Sequence, residues 1–394
     1  SNAHRVHRYN STGTLLTTVT FASSVIPTDI AVQNSSWLLV TDRGPDHNVK
    51  VYNISSLSGS PTNVSSTIGV TGGVFAETTT MGIFGSGRLN QPAGVGIDSS
   101  GNIYVSNMLS NTTMDARLVK FNASGTQQWE RYTTDFEDCA AIDPNYETSL
   151  YSKDNRYRAN WSGGVGSEVV PFATTLHPQR YPHDPRLFVN KNGNNVAGAI
   201  IRRINGKKFL FVEDQQSAYL QVFRFNGSTD GEIAIPCALF ARSGRTSPGS
   251  DWPYNQPATS DSWIWTDTNG NGRMDSGEYQ TYAGDNPYMY GWYVDRDGSV
   301  WKGLRENGVR KIPCTGVNST YGYPIYNLST SSKESNPGPF NNSGDIRRVL
   351  YRADSGWMFI SGFVTGGNRP PSGHEDSRGG GSKLAGYANW SGGN

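Results

Sequence analysis

The chain has 394 residues, 46 of them Gly and 20 Pro, with 17% charged residues and a formal net charge of +1. That balance gives no electrostatic case for nucleic acid or an anionic membrane surface, and no apolar run is long enough to cross a bilayer. The length allows a sizeable core, and the frequent Gly, Asn, Ser and Thr suit many short strands and turns, so the expectation is one all-β domain over residues 4–394. Ser1-Asn2-Ala3 reads as an expression scar and is set aside.

Taken in order, residues 4–13 (HRVHRYNSTG) line up with residues 116–125 (ARLVKFNASG), so the chain opens on a strand like one found mid-pattern later. Residues 27–32, 37–42 and 49–53 then give three short β-rich runs. The clearest stretch follows at residues 90–126. Pro92 leads into Val95-Gly96-Ile97-Asp98, a polar turn Ser99-Ser100-Gly101-Asn102, a second run Ile103-Tyr104-Val105, and a third at Leu118-Val119-Lys120-Phe121. Gly and Asn supply the positive φ that tight antiparallel hairpins need. This stretch resembles an NHL-type repeat, one blade of a β-propeller.

Further openings fall at residues 139–144, 199–201, 262–267, 291–295 and 349–351. Residues 291–301 reproduce the spacing from Asp98 to Tyr104 as Asp295 to Trp301, and residues 388–393 repeat residues 159–164 letter for letter. The resemblance therefore implies a β-propeller whose ring closes by pairing N-terminal with C-terminal strands, removing open sheet edges. Seven inner strands can be counted. The interval from Asp267 to Asp295 is short for a blade, which leaves six blades with an insertion as the alternative.

The three cysteines, Cys139, Cys237 and Cys314, match no metal-ligand spacing and are expected as free, buried thiols. N-x-S/T sequons recur along the chain, as its Asn, Ser and Thr content favours. The polar-turn composition points to an extracytoplasmic protein, whether secreted, cell-surface or periplasmic.

The strongest local motif is residues 267–278, DTNGNGRMDSGE, which fits D-x-[DN]-x-[DN]-G-x₅-E. A hard cation wants six to eight oxygens, and this spacing converges them. Asp267, Asn269 and Asn271 would offer side-chain oxygens and Arg273 its carbonyl. Asp275 would act directly or through water, and Glu278 through both carboxylate oxygens. The flanks alternate as strands do, so a calcium hairpin is expected here and a helix–loop–helix is not. Asn at two ligand positions lowers the site's charge and its affinity. A Gly/Asn turn that binds nothing is the competing reading.

His177, Arg180, Tyr181 and His183 share the Pro-rich stretch 177–184. Read plainly, this is a connector with incidental histidines; read as chemistry, His, Tyr and Arg could abstract a proton and hold a carboxylate. No G-x-S-x-G elbow, P-loop or dinucleotide fingerprint follows a strand. With 10 Trp, 20 Tyr and 15 Phe, stacking on sugar rings is open, and Trp252, Tyr254, Tyr288 and Tyr290 lie in loops suited to it. Other loops that could carry function are residues 59–87, 173–195 and 365–382.

NHL-type propellers include binding platforms, lyases and hydrolase relatives with a channel metal, and the ligand set of those hydrolases does not assemble here residue by residue. The leading expectation is a monomeric extracytoplasmic binding propeller for a glycan or an extracellular protein, with a structural calcium. The alternative is a polysaccharide lyase or hydrolase acting through the 177–184 loop at a mouth of the channel.

Overall fold

Short alternating runs broken by Gly and Asn can satisfy their backbone only by pairing with their neighbours in sequence, and that is how the chain folds. The computed structural model describes residues 4–55, 63–109, 116–133, 139–189, 196, 198–214, 217–244, 252–285, 291–341, 344–364 and 380–390. A hairpin, β1 (Arg5–Tyr9) and β2 (Leu15–Thr20), precedes the first meander, β3 (Pro27–Gln33), β4 (Trp37–Asp42), β5 (Asn48–Asn53) and β6 (Val64–Ile68). The 90–126 stretch makes β7 (Pro92–Ile97), β8 (Ile103–Met108) and β9 (Ala116–Phe121), completed by β10 (Gln127–Tyr132). A third meander holds β11 (Ala141–Asp143), β12 (Tyr146–Ser152), β13 (Asn155–Ala159) and β14 (Val169–Thr174).

The fourth sheet is larger. It runs β15 (Ile200–Ile204), β16 (Lys207–Glu213), β17 (Tyr219–Phe225) and β18 (Ala234–Ala241), then β19 (Ser262–Thr266) and β20 (Tyr279–Tyr282). The fifth combines β21 (Gly291–Val294), β22 (Val300–Gly303) and β23 (Val309–Ile312) with β26 (Ser332–Glu334), after an inserted hairpin of β24 (Cys314–Val317) and β25 (Pro324–Tyr326). β27 (Asp345–Arg352), β28 (Trp357–Phe363) and β29 (Lys383–Tyr387) form the last. All these pairings are antiparallel.

The Asp-to-aromatic spacing has a physical cause. The Asp98 carboxylate accepts from Ser100 N, Asn102 N, Asn102 Nδ2 and, at 3.1 Å, Tyr104 OH, and the Asn102 bonds first among these hold its carboxyl down to about 2. In the fifth sheet Asp295 accepts from Ser299 N at 2.9 Å and from Trp301 Nε1 at 2.8 Å. Each carboxylate pins the first turn of its meander to the second strand. The repeated Ala-Asn-Trp also holds its place, at the ends of β13 and β29, which are both third strands. Trp390 is buried with Trp301 and Phe340, whereas Trp161 is exposed.

Successive sheets stack face to face. Leu39, Val49 and Val51 meet Ile103, Val105, Val119 and Phe121 between the first two meanders. Phe209, Phe211 and Phe240 meet Trp292, Val294 and Val300 between the fourth and fifth, and Trp301 and Val309 meet Ile346, Met358 and Ile360 at the next interface. The opening strands of neighbouring sheets touch, β3 with β7, β11 with β15 and β21 with β27. Leu39→Ala, at a fully buried position, is expected to cost about 2–5 kcal/mol in urea unfolding, because its cavity lies between two sheets that cannot both collapse into it.

Two expectations change. Residues 262–267 do not open a blade: β19 pairs with β18 through Ala238↔Thr266 to Ala241↔Trp263, so it is a fifth strand added outside a four-stranded sheet. Its Trp263 and Trp265 are fully buried under that edge, which is why the run is so aromatic. Among the described residues six strands then open sheets of three or more strands: β3, β7, β11, β15, β21 and β27. The second change concerns closure. Among the described residues β1 and β2 pair only with each other, and Val6, Val19 and Phe21 pack against Leu38, Val40 and Tyr52 of the first meander instead of extending the last sheet. The cysteines are free thiols; Cys237 is buried and the other two are half-buried. Among the described residues no helix is long and apolar enough to cross a membrane.

Candidate functional site

The β19–β20 hairpin carries the 267–278 motif at its tip, with Trp265↔Tyr279 as the last paired residues before it. The sequence folds this way because Asx turns follow one another. Asn269 Oδ1 accepts from Asn271 N at 3.0 Å, and Asn271 Oδ1 accepts from Arg273 N at 2.7 Å. Gly272 takes φ +69°, and a side chain there would strike the Tyr181 ring, so glycine is required on both counts.

Asp267 is completely buried. Its Oδ2 accepts from Gly272 N at 3.1 Å and lies 3.9 Å from Arg224 Nη2, but its Oδ1 has no hydrogen-bond partner. Burial therefore pushes its carboxyl up to about 6. The Asp275 carboxylate accepts Nδ2 of both Asn269 and Asn271, at 2.8 and 2.7 Å, which lowers its pKa. Glu278 accepts from Thr268 N and Oγ1 through Oε1, and from Trp265 Nε1 and Asp275 N through Oε2. Among the described residues no group of three or more His, Cys, Asp or Glu is disposed around a common point as metal ligands are. The candidate oxygens of this loop come from three carboxylates, two side-chain amides and one backbone carbonyl. The orphaned, buried Asp267 oxygen is what a hard cation would satisfy, and the oxygen-only donor set fits calcium.

The 177–184 loop, far off in sequence, folds directly against this hairpin. His183 Nδ1 accepts from Met274 N at 3.1 Å, and its ring lies 4.2 Å from that of Tyr254. Asn255 Nδ2 donates to Met274 O at 2.8 Å, and Tyr279 OH donates to Tyr254 O. Tyr181, mostly buried, donates its hydroxyl to Asp230 Oδ1 at 2.6 Å, and Arg180 pairs with the same carboxylate at 3.0 Å. His177 stacks on Phe75 at 3.9 Å; burial, reinforced by His47 and Arg180, drops its pKa to about 4. Burial and then Arg273 lower His183 as well. Arg180 and Tyr181 contact the Asp230 carboxylate, whose charge His177 also feels, whereas His183 is turned to the Met274 backbone.

Trp252 is not an exposed platform: it is buried, stacked on Phe188 at 5.5 Å and edge-on to Tyr219 at 5.2 Å. Tyr254 lies half-buried on His183, and Tyr288 and Tyr290 lie outside the described residues. The 59–87 stretch, where described, is no free loop, since Val74 and Phe84 are buried and Ile83 bridges to Ala173 of β14.

Sequence reading missed a neighbouring cleft of about 280 Å³, lined by Lys207, Arg224, Asn226 and Tyr321 among others. Arg224 Nη2 donates to Gly270 O at 3.1 Å, and the ring of Tyr321 packs on Gly270, so the motif loop forms one wall. The hint in the sequence is Arg224, the one charged residue in the largely apolar run of β17.

No protein-family model and no curated protein matches this sequence. Among solved structures, a Lactobacillus plantarum protein is 12% identical, covering 91% of this chain and 88% of its own, with a TM-score of 0.27. PQQ-bound aldose sugar dehydrogenase from Streptomyces coelicolor is 14% identical over 95% and 96%, at 0.24, and the Dos1 propeller is 8% identical over 91% and 80%, at 0.29. At those scores the likenesses carry no argument about this chain. Its architecture rests on its own strand order: an all-β protein of successive, mostly four-stranded antiparallel sheets, the blade pattern of a β-propeller.

Proposed function

We propose that this chain is an extracytoplasmic, NHL-like β-propeller of six blades that acts as a binding platform for a glycan, with calcium as a structural ion in the 267–278 loop. The NHL pattern of residues 90–126 and the six sheet-opening strands support the architecture. One observation carries the preference for binding over catalysis. The residues that would transfer protons are engaged in packing: His177 under Phe75, Tyr181 on Asp230, and His183 on the backbone of Met274. A general base needs a free lone pair aimed at substrate. The His183 Nδ1 lone pair is already taken.

Asp267, Asn269, Asn271, Asp275 and Glu278 would hold the cation with the Arg273 carbonyl. When bound, it would supply a partner for the Asp267 Oδ1 that no donor reaches, adding to the single Arg224 guanidinium 3.9 Å from Oδ2. The chain's own contribution is to fix the hairpin tip against the 177–184 loop through Met274 and Tyr181.

Incubation with a panel of soluble polysaccharides, with and without a chelator, tests this by reading retention and product release together. Retention without products is expected. Newly released ends or unsaturated sugars, lost on His183→Ala, would overturn the binding reading in favour of a lyase or hydrolase. Neither retention nor products would point to a protein partner instead.

A further inference from the structure

We infer that the cleft between the β15–β16 turn, the end of β17 and the β24–β25 loop binds the acidic group of a saccharide, with Lys207 and Arg224 on the anion and Tyr321 beneath the sugar ring. This rests on the binding-platform reading above and specifies the ligand class.

Charge comes first. Lys207 and Lys208 have no carboxylate within 4.0 Å among the described residues, and Arg224 reaches only Asp267, at 3.9 Å. Lys208 feels the Glu232 and Asp143 carboxylates, but among the described residues Lys207 and Arg224 have between them only Asp267 at ion-pair range, and a further anion would be welcome beside them. Lys208 is turned inward, its Nζ donating to Tyr151 OH at 2.7 Å and lying 4.0 Å from the centre of the Phe225 ring, which leaves Lys207 and Arg224 as the available pair. Both come within 4 Å of where a Cβ on Gly322 would sit, at 3.8 Å for Lys207 Nζ and 3.6 Å for Arg224 Cδ. The absence of a side chain there keeps the space between them open. Arg224 Nε is buried and has no hydrogen-bond partner, so the guanidinium retains an unused donor.

Shape decides between a saccharide and an acidic protein surface. The cleft, about 280 Å³, sits near the lower end of small-molecule pockets, roughly 300–1,000 Å³. Tyr321 is 42% exposed, with its ring backed by Gly270 and its backbone N–H held by Asn318 Oδ1 at 2.8 Å. A fixed, half-exposed ring beside two cations suits one or two charged sugar units. A folded partner would need a far broader surface. Since the 267–278 loop supplies the backing for Tyr321 and the anchor for Arg224, loss of the loop's geometry should loosen both walls.

Titration calorimetry of the whole protein with oligogalacturonate, a chondroitin sulfate oligosaccharide and a neutral cello-oligosaccharide tests the assignment. The two acidic sugars are expected to bind and the neutral one not. Lys207→Ala should weaken binding about tenfold, as loss of one charge-assisted contact does, and Lys207→Arg should restore most of it. Lys207 is exposed, so its variants should melt where the wild type does. Tyr321→Ala should weaken the sugars while leaving inorganic sulfate unaffected. Equal binding of acidic sugars by wild type and Lys207→Ala would overturn the proposal, as would sulfate alone or an acidic peptide binding as tightly as the oligosaccharides. If a neutral glycan is retained and survives Lys207→Ala, the platform reading stands and this cleft falls. If no glycan binds, both fall.

Discussion

If the 267–278 loop holds calcium as proposed, the ion is expected to raise the melting temperature of the wild-type protein and replacing Asp267 with Asn to abolish that rise. Asp267 is fully buried with one oxygen unpaired, so the loop without a cation holds a desolvated carboxylate at a cost. Binding to the folded state alone stabilises by mass action, about 2.7 kcal/mol at a hundredfold excess over Kd, which for a chain of this length is a shift of about 3 °C. Asp267→Asn removes the charge but keeps the acceptor from Gly272 N. Its ion-free form should therefore melt at or above the wild type, while calcium moves it little. The pH dependence has a definite sign. Without calcium, a folded pKa raised to about 6 means that Asp267's contribution is fully present below about 4 and lost as pH rises through 6. Calcium needs the ionised form, so its stabilising effect should be small near pH 5 and full near pH 7.5. Differential scanning calorimetry with calcium or a chelator at both pH values checks this. An equal calcium shift in Asp267→Asn would rule out the loop as the ion site.

Asp285→Ala should be among the most destabilising single changes in the described fold, at about 3–5 kcal/mol in denaturant unfolding. Asp285 follows β20 and anchors the added hairpin to the fifth sheet. It accepts from Lys302 Nζ and Arg310 Nε, both at 2.6 Å, and from Ser262 Oγ at 3.1 Å. The Lys302 and Asp285 side chains are completely buried, and Lys302 also donates to Tyr282 OH at 2.7 Å. Burial alone would raise the Asp285 pKa, but Lys302 and Arg310 outweigh it and hold it below the ordinary range. Removing the carboxylate strands two cations in a dry site, the second of them braced by Ala283 O at 3.0 Å. Asp285→Ala combined with Lys302→Met should cost less than Asp285→Ala alone, because the fully buried uncompensated charge goes with it. If the double variant were no better than the single, the ion pair would not be what holds the hairpin.

Much of this was legible beforehand because it is local. The Asp98 and Asp295 turns follow from carboxylates six residues ahead of an aromatic donor, and strand order mostly follows chain order because neighbours in sequence pair antiparallel. The hairpin tip at 267–278 could be read for the same reason: the turns that shape it lie within twelve consecutive residues. Blade assignment at residues 262–267 failed because a buried outer strand and a buried inner strand have the same apolar pattern; only pairing with β18 distinguishes them. Trp252 failed similarly, since a loop aromatic can stack on sugar or on Phe188, and composition does not choose.

An all-β chain, its repeating Asp-anchored turns and a hairpin rich in oxygen donors could be read from the residues alone, since each depends on positions a few apart. That this hairpin is an added edge of the fourth sheet, that His183 and Tyr181 brace it, and that Lys207, Arg224 and Tyr321 share one cleft emerged from the fold. Those residues are separated by up to about a hundred positions. Their meeting is set by how apolar faces stack, and nothing in their own neighbourhoods encodes it.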